Sequence, residues 1–304
     1  MILILVKQIL QMFLLSGIGF LLYRSGKISR DGSQALGNIL IYVSLPSVII
    51  NGFLIERTAE HMQGILISAL AAFMLLLLSM AVSRLVSRKD SIAAFAGAFS
   101  NPGFFAIPLI LASTGQSSVF YAACFIAFLN IGQWTYGVSL LTGQPLMKGL
   151  SLKKLIRAPF VIAMLTGLVL FFTQLPLPDL ATGLLDTVSG LNTPLAMFTV
   201  GVYLAQTDIK HMFTRLSLYK TALVRNLLIP VLSLFLLALL PASLSTLRSV
   251  LLLCAAAPTG SNVAVYAQLH DADYPYAVET VVISTLLSIL TIPAVVYLSG
   301  LIWS

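Results

Sequence analysis

From Ser100 to Leu111 the chain reads Ser-Asn-Pro-Gly-Phe-Phe-Ala-Ile-Pro-Leu-Ile-Leu, in the middle of an apolar run long enough to cross a bilayer. Asn101 brings an amide into that run, Pro102 and Pro108 lack a backbone donor, and Gly103 does little to hold a helix. In hydrocarbon, unpaired backbone groups survive only inside protein or beside a wet cavity. A second interruption, Pro258-Thr-Gly-Ser-Asn262, falls in the other half of the chain. Paired interruptions at corresponding places in two halves point to a transporter's binding site. The chemistry on offer is anion binding. A neutral amide donates to a carboxylate without the desolvation cost of a buried cation. Free N–H groups at the start of a half-helix add a positive dipole end. The expected substrate-binding set is Asn101, Gly103, Pro108, Pro258, Thr259, Ser261 and Asn262. In it the prolines break the helices, Gly103, with Gly260, lets backbones approach, and the amides and hydroxyls line the gap. The competing reading for each polar group is local: Asn101 pairing backbone freed by the prolines, the others making interhelical hydrogen bonds worth about 1 kcal/mol.

Acids within apolar segments are a second class, because an intramembrane carboxyl is by default a functional group. Asp186 and Glu279 are the two, each a possible site for a coupled proton or cation, and each near enough to an interface to be simply solvated. Asp271 and Asp273 read as a wet turn. Asn130 and Gln133 stand three residues apart and share a helix face, where they either look toward the breaks or hold neighbouring helices. Pro46, Asn51, Asn192 and Pro194 form a further polar set on the opposite wall. His61, His211 and His270 lie in separate loops without ligand spacing, so no metal is expected. Cys124 and Cys254 read as small buried hydrophobes. No Gly-x-x-x-x-Gly-Lys-Ser/Thr loop, His-Glu-x-x-His, Gly-x-Ser-x-Gly or paired intramembrane aspartate occurs, so neither a nucleotide cofactor nor a catalytic residue is expected.

These residues need helices in lipid to position them. Of 304 residues, 59% are hydrophobic and 9% charged, far below the charge of a soluble domain. The net charge of +7 is not that of a nucleic-acid binder, because the basic residues gather beside short gaps between apolar runs. About 20 apolar residues span a bilayer. That ruler gives ten segments: 2–23, 34–54, 64–86, 92–113, 117–141, 159–177, 182–206, 218–240, 247–269 and 275–302. The gaps after the first, third, fifth and seventh segments, with their flanking turns, hold 14 of the 17 basic residues. Lys7, Arg57 and Arg248 lie on the other side. The positive-inside rule then places both termini outside the cytoplasm. The first segment reads as a retained helix rather than a cleaved signal. Thr142 to Ala158 is the longest and most basic gap, dividing the chain into 1–145 and 146–304. Five segments per half means the second half enters from the opposite side, as in an inverted repeat.

Asn101-Pro-Gly-Phe-Phe-Ala-Ile-Pro108-Leu resembles the Asn-x-Gly-Phe-x-Gly-x-Pro-Leu signature of the auxin efflux carrier family. Ala257-Pro258-Thr-Gly-Ser-Asn262, continuing through Tyr266-Ala-Gln and Asp271, is similar to that family's ninth helix. Pro194-Leu-Ala-Met-Phe-Thr-Val-Gly201 is similar to its seventh. The short central loop resembles that of bacterial members. The resemblance implies an all-α polytopic membrane protein: ten helices in a five-plus-five inverted repeat, with broken helices four and nine crossing near the midplane. It implies a scaffold of helices one, two, six and seven, and a moving bundle of helices three to five and eight to ten, giving elevator-type alternating access. It further implies small organic anion substrates (malate, malonate or auxin-like acids), a plasma-membrane setting and a homodimer. Ala106 stands where the family usually has Gly, which would tighten the crossing. The other readings are a channel or sensor on the same fold, and an intramembrane enzyme.

Overall fold

The computed structural model describes residues 2–145, 156–207 and 209–303, and is helical throughout, with no strand among the described residues. Its main helices are α1 (Ile2–Arg24), α2 (Asp31–Phe53), α3 (Ala59–Val86), α4 (Ser91–Ala98), α5 (Pro102–Ser113), α6 (Gln116–Thr142), α7 (Pro159–Thr173), α8 (Asp179–Gln206), α9 (Leu216–Ala238), α10 (Ala242–Ala256), α11 (Asn262–Leu269) and α12 (Tyr274–Ile302). Seven of them (α1, α2, α3, α6, α8, α9 and α12) are long and apolar enough to cross a membrane; α5, α7 and α10 are shorter apolar helices.

Each of the ten apolar segments is helical, but the fourth and ninth are not continuous. They divide into α4 and α5, and into α10 and α11. The seventh starts earlier than its hydropathy suggests, at Asp179, and α8 changes course at Gly190–Leu191. His61 sits in the first turn of α3 rather than in a loop. Lys148, Lys153, Lys154 and the junction at 145/146 lie outside the described residues, as does the side chain of Lys210. By sequence Arg225 reads as one of the basic residues flanking a gap. It instead lies inside α9 and is 1% exposed, so it carries no topological signal. Arg248 is buried too, with its guanidinium 4.4 Å from the Trp303 ring centroid.

Helix α1 shows how the sequence sorts lipid from protein. Leu5, Ile9, Met12, Ser16 and Gly19 recur every three or four residues and are buried. Leu3, Leu10, Leu14 and Leu21 on the other face are exposed, a surface that only hydrocarbon would cover at low cost. Lipid offers helices little hydrophobic drive to associate, so small residues that permit close approach carry the packing. A Cβ at Gly19 would lie 2.6 Å from the Phe198 carbonyl oxygen, and one at Gly201 would strike the Ser16 carbonyl. That pair clamps α1 along α8. Gly167 brings α7 against Phe53 of α2 in the same way. In a second group, α3 packs on α4 and α6, and α9 packs on α10 and α12.

Three helices pass through a wider π turn directly before a proline: Leu40–Ser44 before Pro46, Pro102–Ala106 before Pro108, and Val224–Leu228 before Pro230. A proline ring clashes with the carbonyl four residues back, and a π turn moves that carbonyl aside. A fourth π turn, Gln133–Gly137, interrupts α6.

Candidate functional site

The two breaks meet. Ser100 and Thr259 form an isolated antiparallel bridge, in which Asn101 N donates to Pro258 O at 2.8 Å and Gly260 N donates to Phe99 O at 2.9 Å. The crossing thus pairs backbone groups that the broken helices would otherwise leave open. A Cβ at Gly260 would lie 2.8 Å from the Ser100 carbonyl oxygen, so only glycine fits. Gly103 is less constrained, since its added Cβ would meet only Leu45 methyls at 3.3 and 3.4 Å. Thr259 is fully engaged: its N–H donates to Ser284 Oγ (2.8 Å) and its hydroxyl to Ala96 O (3.2 Å). Ser284 Oγ in turn donates to Asn226 Oδ1 (2.7 Å).

Four half-helix ends surround this bridge. At the carbonyl ends of α4 and α10, Arg225 Nη1 donates to Gly97 O (3.0 Å) and Ala98 O (3.4 Å), and Nη2 donates to Ala255 O. At the start of α5, Asn101 Oδ1 caps Phe104 N–H at 3.3 Å. Its amide N–H₂ has no partner among the described residues. At the start of α11, Asn262 Nδ2 donates to Gln133 Oε1 at 2.8 Å. Gln133 is completely buried, and among the described residues neither its Nε2 nor the Ser100 hydroxyl has a partner. A buried donor left unsatisfied costs about 1–3 kcal/mol, so these groups mark a place where something polar is to be received. Pro108 and Ala106 are buried behind the site, Ala106 within the π turn. Ser261 is buried at the head of α11.

A family model described as "Membrane transport protein" matches residues 4–145 and 142–296. The chain belongs to that family, the auxin efflux carriers. It is similar to a protein of Rhizobium meliloti (strain 1021) named "Putative malonate transporter", 26% identical over 301 residues, covering 93% of this chain and 92% of the relative. This transporter is therefore a multi-pass membrane protein.

Within this membrane transporter the acids expected to couple transport stand apart from the crossing. Asp186 is exposed on α8 and accepts from Asn51 Nδ2 at 2.9 Å, and Asn51 also bonds Ser189 Oγ. Glu279, 6% exposed, pairs with Arg215 at 3.0 Å. Arg215 also lies 3.9 Å from Asp273 and stacks on Tyr276, whose hydroxyl donates to Asp90 at the head of α4. That head is about 12 Å from the crossing along α4. Asp273 is more than a wet turn, because it caps the first turn of α12. Asn130 folds back on Ile126 O, whereas Gln133 reaches the second break. Asn192 is buried, with no partner for either polar side-chain atom among the described residues, and Pro194 lies in the same turn. Sequence reasoning missed Arg225, Asn226 and Ser284. The available signal was Arg-Asn five residues before a proline inside an apolar run.

Proposed function

We propose that this protein is a secondary transporter of small organic anions, carboxylates such as malate, malonate or auxin-like acids, held where the two broken segments cross. One observation carries the reading: Asn101 at the start of α5, and Gln133 of α6 held by Asn262 at the start of α11, bring amide donors with unused capacity to a crossing that includes no carboxylate among the described residues. Positive helix ends and neutral amides suit a carboxylate. The name of the Rhizobium relative supports a dicarboxylate of malonate's size. Asn101, Gly103, Pro108, Pro258, Thr259, Ser261 and Asn262 remain the proposed binding set. Within it Asn101, Ser261 and Asn262 would face the anion, while Thr259 and the prolines hold the crossing.

The proposed architecture is ten spans in a five-plus-five inverted repeat, 1–145 and 146–304. Exchanging halves turns the α1–α8 contact into the α7–α2 contact, and the α3–α6 contact into the α9–α12 contact, which supports it. The same packing supports a scaffold of α1, α2, α7 and α8, with the remaining helices moving against it in an elevator cycle. The reading further includes a plasma-membrane location with both termini non-cytoplasmic, and a homodimer. Coupling would run to a proton or Na⁺ gradient, with Asp186 and Glu279 as the acids able to serve it.

The test is uptake of labelled malate, malonate and indole-3-acetate by proteoliposomes containing wild type or Asn101→Ala, with imposed pH and Na⁺ gradients. Saturable uptake of one anion, lost in the folded variant, is the expected result. Unsaturable flux would favour a channel, and undiminished uptake by the variant would remove Asn101 from the site.

A further inference from the structure

A buried arginine with no acid beside it among the described residues calls for an explanation. Arg225 is 1% exposed, and among the described residues its hydrogen bonds go to backbone carbonyls alone, with Nε unpaired. Those carbonyls, of Gly97, Ala98 and Ala255, belong to the last turns of α4 and α10. A helix C-terminus carries about half a negative charge. Two such ends together roughly balance one guanidinium, which explains how the charge tolerates burial without a carboxylate. In transporters with interrupted helices, carbonyls at half-helix C-terminal ends and unwound backbone are the groups that hold a coupling cation. Here they are filled by a cation tethered to α9 through the π turn Val224–Leu228.

We propose that Arg225 is a resident cation. It occupies the position at the crossing where a mobile coupling cation would bind, so anion transport proceeds without Na⁺ there. This rests on the anion-transporter reading and names the regulation of the same site. The guanidinium fork spans both helix ends, α4 through Nη1 and α10 through Nη2. It therefore acts as a positioning residue, locking the two negative ends together and leaving the two positive ends to the anion. A lysine supplies the charge at one point but not the fork.

The experiment measures exchange of labelled malonate by reconstituted wild type, Arg225→Ala and Arg225→Lys, in Na⁺ and with Na⁺ replaced by N-methyl-D-glucamine. Thermal unfolding of each purified protein is followed in parallel, with and without millimolar guanidinium, well below denaturing concentrations. Wild-type exchange is expected to be indifferent to Na⁺. Arg225→Ala is expected to melt lower and to exchange roughly tenfold or more slowly, with guanidinium restoring both and leaving wild type unchanged. Arg225→Lys should remain Na⁺-independent at reduced rate, which keeps the test alive if the alanine variant does not fold. A Na⁺ requirement in wild type or in Arg225→Lys overturns the proposal. So does an alanine variant that is unimpaired, or one that folds and no cation rescues. Absence of malonate exchange in wild type would count against the anion reading alone, because rescue of the melting temperature by guanidinium is read without transport.

Discussion

Asn101 holds two roles that substitution can separate. Its Oδ1 caps α5 through Phe104 N–H, and its amide N–H₂ has no partner among the described residues. Asn101→Ala loses both roles, and the cap alone is worth about 1 kcal/mol. Asn101→Asp keeps an oxygen for the cap, removes the donors and adds a charge that repels an anion. We expect Asn101→Asp to fold with the cap kept and a melting temperature lowered by the buried charge, while taking up no carboxylate; wild-type uptake by that variant would show that the donors are not used. Glu279 allows a similar separation. Its partner Arg215 is partly solvated and can rehydrate, so Glu279→Gln should destabilise by only about 1 kcal/mol in thermal unfolding. If Glu279 couples a proton, the same variant also loses the response of uptake to an imposed pH gradient, and retention of that response assigns coupling elsewhere, with Asp186→Asn the next variant to examine. Asn101 was legible in sequence because an amide between prolines in an apolar run has few other uses. Arg225 was not, because its register beside Lys220 and Arg215 looks the same as that of a topological charge.

At the scale of elements, the crossing depends on two short extended pieces passing in contact, and glycine decides whether they can. Gly260→Ala would set a methyl 2.8 Å from a backbone oxygen that cannot rotate away. We expect a loss of about 1–3 kcal/mol together with loss of uptake. Gly103→Ala meets only mobile Leu45 methyls and should fold close to wild type, so equal damage from the two would contradict the geometry. The four π turns tie local sequence to the site. They carry Ser44, Pro102–Ala106, Gln133 and the Arg225–Asn226 pair, and three of the four are forced by a following proline. Prolines are visible in sequence, so the interruptions were foreseeable. Their consequence, turning Arg225 toward another helix, was not, and no proline marks the turn that carries Gln133.

For the whole molecule we propose two groups of helices: α1, α2, α7 and α8 as the scaffold, with α1 packed on α8 and α7 on α2, and the rest as the moving bundle. Within the first group the glycine clamp of α1 on α8 holds two backbones in contact. Gly201→Val should lower thermal stability more than Ala106→Gly, since the former forces backbones apart and the latter removes one buried methyl. Orientation has its own check. After replacement of Cys124 and Cys254, Lys89→Cys should react with an impermeant maleimide from the cytoplasmic side, and Arg57→Cys from the opposite side. Both positions are exposed, so the reverse pattern would invert the topology argued from charge.

The sequence alone determined that the chain lives in lipid, where its apolar segments lie, where two of them break and that an amide sits at a break. Those properties are sums and interruptions along one helix at a time. Only the tertiary structure decided that the breaks pair with each other, that Gln133 meets Asn262 and that Arg225 joins the carbonyl ends of α4 and α10. The side-chain hydrogen bonds among these contacts join residues 30 to 129 positions apart, and the two breaks lie further apart still. A hydrogen bond depends on where its partner is brought by packing, and no local pattern in hydropathy or charge records that.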